Sequence, residues 1–318
     1  MEVLVDNRDG NVWQVPVESL NWKTDKIGKA GSLDLKLIND NPLENKVVEG
    51  SIIRATDGNQ KIFYGYTFKD SFSINSSFSV TAYDQLKYLM YDDTFVMPAM
   101  TADQAIAQIC KQAGIAVGTF EKTSHTVPAM VEDGKKAFDV TSKYLDSTLI
   151  ATNRNYVLYD NFGKVDLKNI GSLIISPEKF YIGEESLLYD FDYERSIEDS
   201  YNRIKLVRDN KETSKRQVYI AQDSGNIAKW GRLQYFEKVN ENMTDAQIKK
   251  LLDALLEVHN TVKKKLSLKC LGNWLVRAGV MVYVYIKKIG IKQLFLVESC
   301  SHDWKSDVHT MSLELKVI

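Results

Sequence analysis

Ser32-Leu33-Asp34-Leu35-Lys36-Leu37 is the stretch that decides the class of this fold. Successive side chains of an extended strand point to opposite faces, so Leu33, Leu35 and Leu37 share one buried face while Asp34 and Lys36 meet water. Val47 to Arg54 reads as a second strand, ended by Thr56-Asp57-Gly58-Asn59, whose Asp-Gly pair supplies the positive φ of a tight hairpin. Lys61 to Phe68 returns, and Gly65 within it marks a bulge or a close backbone approach. Phe72-Ser73-Ile74 and Phe78-Ser79-Val80 form a further hairpin around Asn75-Ser76-Ser77. Short strands at this spacing, with no long helix between them, argue for a small barrel or sandwich.

The pattern changes near Pro98. Thr101-Ala102-Asp103-Gln104 is a capping box, followed by Ala105, Ile106, Ile109, Cys110 and Ala113 at helical spacing, with Gly114 as the stop. A second helix is expected from about Ala137 to Thr152, then a hairpin through Tyr156–Tyr159 and Val165–Leu167. From Leu187 strands resume: Asn202–Val207 and Gln217–Ile220 flank a polar tip at Asp209–Ser214. Thr244-Asp245-Ala246-Gln247 repeats the capping box. Ile248, Leu251, Leu252, Leu255, Val258 and Val262 then predict a long helix over about 244–265, closed by Lys263–Lys265. Val280–Ile286 is apolar on both faces and must be covered twice. Met311, Leu313, Leu315 and Val317 alternate with polar residues in a last strand. The class is mainly β with α+β insertions: a β domain over 1–95, an α+β insert over 96–186, and a second β domain over 187–318 carrying the helix.

The 318 residues suit two or three domains, and 44% apolar with 26% charged side chains is an ordinary globular balance. A net charge of −1 gives no general pull toward nucleic acid or anionic membrane. No apolar run approaches the roughly 20 residues of a membrane span. The start Met1-Glu2-Val3-Leu4-Val5-Asp6 lacks a signal-peptide pattern, so synthesis in a cytoplasm is expected. Cys110, Cys270 and Cys300 lie far apart and read as buried thiols.

Chemistry is sparse. Cys300-Ser301-His302-Asp303 followed by His309 is the sharpest candidate: Cys300 and His302 share a strand face. A hairpin symmetric about Lys305-Ser306 puts His302 opposite His309, with β-carbons about 5 Å apart. Two imidazoles and a thiolate can begin a zinc site, but a fourth ligand is not evident, and a packed cross-strand pair is the simpler account. Gly28-Lys29-Ala30-Gly31-Ser32 lacks the earlier glycine of a phosphate loop. Asp190-x-Asp192-x-Glu194 lacks the glycine and final acid of a calcium loop. Basic clusters interleaved with aromatics are not visible, so sequence-specific nucleic-acid readout is not expected. No catalytic residue and no cofactor are assigned.

Several short motifs, in order, carry a resemblance. They are Phe63-Tyr64-Gly65-Tyr66, Ala82-Tyr83-Asp84 with Tyr88-Leu89, and Ala113-Gly114-Ile115. They continue with Ser196-Ile197-Glu198-Asp199, Asn202-Arg203, and Trp230-Gly231-Arg232-Leu233-Gln234. Leu271-Gly272-Asn273, Arg277-Ala278-Gly279, Val297-Glu298 and His309-Thr310-Met311 complete the set. Together they resemble the baseplate hub proteins of contractile tails in Gram-positive phages, defective prophages and phage-tail-like bacteriocins. The resemblance implies two tail-tube-like antiparallel β-barrels per chain and a homotrimer joining a hexameric tail tube to a trimeric spike. It also implies a location in the tail baseplate of a virion or tail-like particle, among LysM-type baseplate neighbours, and a structural rather than enzymatic role. The alternative is a tail-tip cell-wall hydrolase or metal-dependent enzyme using the His302/His309 hairpin.

Overall fold

The computed structural model describes residues 1–38, 47–72, 77–210 and 215–317. The turn around Asn75-Ser76 and the tip at Lys211–Ser214 lie outside the described residues.

The first strands are β1 (Glu2–Asp6), β2 (Val12–Gln14), β3 (Val17–Asp25), β4 (Ser32–Ile38), β5 (Ile52–Asp57), β6 (Gln60–Phe72) and β7 (Ser77–Tyr83). The middle of the chain holds β8 (Asp92–Met97), β9 (Met100–Thr101), α1 (Ala102–Gln112), β10 (Val117–Phe120), β11 (Thr126–Val127) and β12 (Met130–Lys136). It continues with α2 (Ala137–Thr152), β13 (Tyr156–Asp160) and β14 (Val165–Asn169). Then come β15 (Ile182–Gly183), β16 (Leu188–Ser196), β17 (Arg203–Asn210), β18 (Lys215–Gln222), α3 (Ser224–Trp230) and β19 (Gln234–Lys238). The last elements are α4 (Asp245–His259), β20 (Lys263–Leu271), β21 (Met281–Ile286), β22 (Ile291–Lys305) and β23 (Val308–Lys316).

These elements form two compact units. One comprises Met1–Leu145, Asn155–Asp192 and Leu266–Ile318; the other comprises Asp146–Arg154 and Tyr193–Lys265. In the larger unit the main sheet runs β16-β20-β23-β22-β3-β4-β7-β6-β5-β1-β2, with β21 on β22 and β15 on β21. The β strands from the two ends of the chain therefore share one hydrogen-bonded path, joined where β22 pairs antiparallel with β3. Among the described residues, β2 and β16 end that path without pairing to each other.

Strand β4 lies inside the sheet, between β3 and β7, and its alternation is used as the sequence implies. Leu33, Leu35 and Leu37 are buried, while Thr81 donates to Asp34 Oδ1 at 2.7 Å and Lys36 pairs with Glu18 at 2.9 Å. Each such leucine contributes about 2 kcal/mol through burial. Gly58 takes φ +56° in the two-residue turn between β5 and β6. α1 ends ahead of Gly114, whose φ is +69°. Helix α2 and the β13–β14 hairpin occupy the expected spans. β21 buries Val282, Val284 and Ile286 on one side, and on the other Met281 packs with Val157, Ile170 and Leu296.

In the smaller unit, β18-β17-β19 form a three-stranded sheet, with β17 antiparallel to β18 and parallel to β19. Ile248, Leu252 and Leu255 of α4 pack on Ile204 and Leu206 of β17 and on Val239. Thr244 and Gln247 close the capping box: Thr244 N–H donates to Gln247 Oε1 at 2.8 Å. The long helix expected over 244–265 is shorter than that. It stops at His259, whose carbonyl accepts the Tyr201 N–H at 3.1 Å, and Lys263–Lys265 open β20 instead of closing a helix. The reason is a change of period: Leu266, Leu268 and Cys270 are buried at every second residue, which only a strand permits. Asp190-x-Asp192-x-Glu194 likewise lies in the extended strand β16 rather than in an ion-binding loop.

Gly65 sits in β6 where the sequence asks for a close approach. A β-carbon there would lie 2.2 Å from the Tyr83 carbonyl oxygen and 2.5 Å from the Phe63 ring. Gly65→Ala is expected to destabilise the larger unit by about 2 kcal/mol or more, read as a lower denaturant midpoint. An unchanged midpoint would show that the approach is not constraining.

Candidate functional site

The hairpin of β22 and β23 turns on Ser306 and Asp307, with φ of +50° and +60°. Positive φ at both central residues is the signature of a mirror-image two-residue turn, whose twist matches the flanking strands. The turn sets the register: Lys305 faces Val308, Trp304 faces His309, and His302 faces Met311. The symmetric hairpin about Lys305-Ser306, with His302 directly opposite His309, is thereby corrected by a two-residue offset. Because side chains alternate with period two, that offset leaves both histidines on one face as diagonal neighbours. Their rings meet, with His302 Nδ1 2.9 Å from His309 Nε2.

The partners decide the protonation. His302 Nε2 lies 2.7 Å from the Val276 carbonyl oxygen, which can only accept, so Nε2 carries the proton. Nδ1 then accepts from the Nε2–H of His309. Trp22, paired with His302 across β3 and β22, stacks on its ring at 5.1 Å, and Trp274 stacks on His309 at 3.6 Å. A β-carbon at Gly272 would lie 2.1 Å from the His309 ring, so glycine is required there. Burial pushes His302 down to about 3, although the Val276 hydrogen bond opposes it; burial also pushes His309 down to about 4. Cys300 Sγ is 3.1 Å from His302 Nε2, a nucleophile–base distance, yet that nitrogen already donates to Val276. Burial, with Cys270 nearby, holds the Cys300 thiol well above its usual range. Cys300, His302 and His309 thus do come together. Among the described residues, however, no three His, Cys, Asp or Glu side chains are arranged to hold a metal ion. Two imidazoles on one tetrahedral zinc would need their nitrogens about 3.3 Å apart and both free of protons.

A second polar cluster in the larger unit was not singled out by spacing. Arg277 is half-buried, with Cζ 3.2 Å from the centroid of the Tyr159 ring. Asp84 accepts from Gly31 N–H and Leu86 N–H, both at 2.9 Å, and thereby caps the 3-10 turn Gln85–Leu89. Asp160 accepts the Gly163 N–H at 3.0 Å. Burial, reinforced by the charge of Asp160, pushes the Asp84 carboxyl well up; burial raises Asp160 to about 7 against the pull of Arg277. A pocket of about 30 Å³ lies among Asp84, Asp160, Arg277, Trp22 and Phe63. That space admits one or two waters and no sugar or peptide. Asp84 and Arg277 both sit in motifs that carry the family resemblance, which was the one available signal.

On the solvent side of β6, Tyr64, Tyr66 and Phe68 continue into Tyr88 and Tyr83, with Phe162 at the other end, in ring contacts of 5.4–6.2 Å. Arg54, Arg8, Lys61 and Lys87 lie over these rings. Cations and aromatics absent as a sequence cluster are thus interleaved in space, drawn from separate strands and turns.

The histidine pair gives a signed expectation. His302 ionises at about 6.5 in an unfolded chain and about 3 when folded, so below pH 6.5 the unfolded chain takes up a proton that the folded site refuses. Stability then falls as pH falls through that window, by about 2 kcal/mol at pH 5 from His302 alone. Asp84 and Asp160 act with the opposite sign, losing stability as pH rises above about 3.8. Urea unfolding of wild type and His302→Asn at pH 7 and pH 5 separates them: the wild-type advantage shrinks by about 2 kcal/mol. Parallel pH dependence, or an NMR titration showing His302 charged at pH 5, would refute this.

Comparison with known proteins extends over the same residues. Residues 20–316 match the family model described as YQBQ-like. The chain is 29% identical over 273 residues to the phage-like element PBSX protein XkdQ of Bacillus subtilis strain 168, covering 85% of this chain and 82% of that one. Among solved structures, the 43 kDa tail protein of prophage MuSo2 from Shewanella oneidensis superposes with a TM-score of 0.73 at 14% identity, covering 99% of this chain and 98% of that one. The E. coli c3393 protein, described as a type VI secretion component similar to T4 bacteriophage tail proteins gp27 and gp5, gives a TM-score of 0.60 at 9% identity. It is matched over 99% of this chain and 76% of its own. The fold is therefore one found in phage tail proteins, and the chain belongs to the YqbQ-like family.

Proposed function

We propose that the chain is a structural baseplate hub of a contractile tail, acting as a homotrimeric adaptor between the hexameric tail tube and the trimeric spike. The observation that carries this is the end-to-end likeness of fold to a prophage tail protein, together with relationship to a PBSX phage-like element protein. In this reading the β-rich parts at 1–95 and 187–318 are two tube-facing barrels, separated by the insert at 96–186. Three chains with two similar seats each offer six near-equivalent positions to a six-fold tube, which a closed three-fold ring satisfies.

The role is non-enzymatic. Its support is the use made of the best chemical candidates: the His302–His309 pair and the Arg277 cluster spend their hydrogen bonds inside the packed unit. The chain would reside in the baseplate of a virion or tail-like particle, with tube, spike and other baseplate proteins, including LysM-type ones, as neighbours. Light scattering of the purified chain and electron microscopy of assembled tails test this. The expected results are a trimer, and density between tube and spike that is lost when the gene is deleted. Intact tails from the deletion strain would sink the proposal.

A further inference from the structure

One pocket of the larger unit brings together residues from the first, middle and last thirds of the chain. Asp84 follows β7, Asp160 ends β13, and Arg277 lies in the loop after β20; all three line it. Each carboxylate is anchored within its own segment. Asp84 accepts from Gly31 and Leu86, beside the main sheet, whereas Asp160 accepts from Gly163 at the tip of its own hairpin. Neither carboxylate has a hydrogen bond across the pocket among the described residues. Nor does Arg277 make an ion pair with either one there; its guanidinium stacks on Tyr159, in the same hairpin as Asp160.

The tip of that hairpin is lightly held. Asn161 and Lys164 are exposed. Phe162 and Gly163 rest on Tyr64 of β6: the two rings are 5.7 Å apart, and a β-carbon at Gly163 would lie 2.9 Å from the Tyr64 ring. Farther back, Val157 packs with Ile170, Met281 and Leu296 and fixes the base of the hairpin.

We infer that the pocket is a proton-binding site: one proton, held by Asp160 against Asp84, keeps the tip over 160–164 docked on Tyr64, and its loss to solvent lets the tip lift. Two carboxylates on one small cavity cannot both ionise without repulsion, which relaxes once the tip carries Asp160 into water. The other charges facing Asp160 are Arg277 and Asp166, and Asp166 accepts from Thr119 N–H and Asn161 Nδ2. Asp25 of β3 also lines the pocket and pairs with Lys29 at 3.8 Å, while Lys61 lies over Phe162 and Arg54 over Tyr64. Burial raises the docked Asp160 to about 7, against 3.8 for a free carboxyl. A docked tip therefore keeps a proton that a lifted tip has released. Docking is strongest below pH 3.8, weakens as pH rises from there, and levels off above about pH 7.

NMR and hydrogen exchange of the full chain test this. The Gly163 N–H donates to Asp160, so its resonance follows the ionisation of that carboxyl; the expected midpoint is about 7. Exchange at the tip, corrected for its intrinsic pH dependence, is expected to rise about tenfold from pH 5 to pH 6 and to level off above pH 7. Asp160→Asn keeps an acceptor for Gly163 and has no charge to release, so it removes the rise. Asp84→Asn, shown to be folded by circular dichroism, removes the opposing charge and lowers the Gly163 midpoint. A wild-type midpoint below pH 5 overturns the proton site. Flat wild-type exchange, or a rise that persists in Asp160→Asn, overturns the release of the tip. A midpoint unmoved in Asp84→Asn overturns the opposition across the pocket.

Discussion

The pairing of β3 with β22 is the contact on which the larger unit depends. It aligns Ser19–Asp25 with Ser299–Lys305, residues about as far apart in sequence as the chain allows. Side chains reinforce the ladder: Asn21 Nδ2 donates to Ser301 Oγ at 3.0 Å, and the Ala278 N–H donates to Thr24 Oγ1 at 3.0 Å. Closing so long a loop costs conformational entropy before any contact returns it, which slows the folding of sheets built from non-local pairs. Once made, it turns two β-rich ends into one hydrogen-bonded path.

Both buried polar clusters lie beside that join. Trp22 stacks on His302 across it and also lines the pocket of Asp84, Asp160 and Arg277. Buried polar groups cost several kcal/mol when unpartnered, so a network that satisfies them only in one arrangement disfavours slipped registers. The two clusters respond to acid with opposite sign: the histidines resist protonation, and the carboxyls retain protons.

The histidine hairpin shows why an apparent active-site constellation can be packing. The residue types, the shared face and even the 3.1 Å Cys300–His302 approach are those of a nucleophile and its base. The third partner is the Val276 carbonyl, which holds the His302 Nε2 proton that a general base would need to be without. That carbonyl belongs to a loop 26 residues away in sequence and carries no side-chain signal at all.

The sequence by itself determined the local elements. The alternation at Leu33–Leu37, the capping boxes at Thr101 and Thr244, and the close approach at Gly65 are set by covalent geometry and side-chain period within a few residues. Those signals survive because the core accepts them unchanged. The helix ends at His259 rather than near Lys265, because a lysine run suits a helix terminus and a strand start equally. The two-residue offset of the β22–β23 hairpin was hidden because Ser306 and Asp307 take positive φ without glycine. Only tertiary structure decided which strands share a sheet, where the histidine protons sit, and that Asp84, Asp160 and Arg277 meet. Those outcomes depend on non-local pairing and on burial, which raise or lower a group's charge according to neighbours that the local sequence does not name.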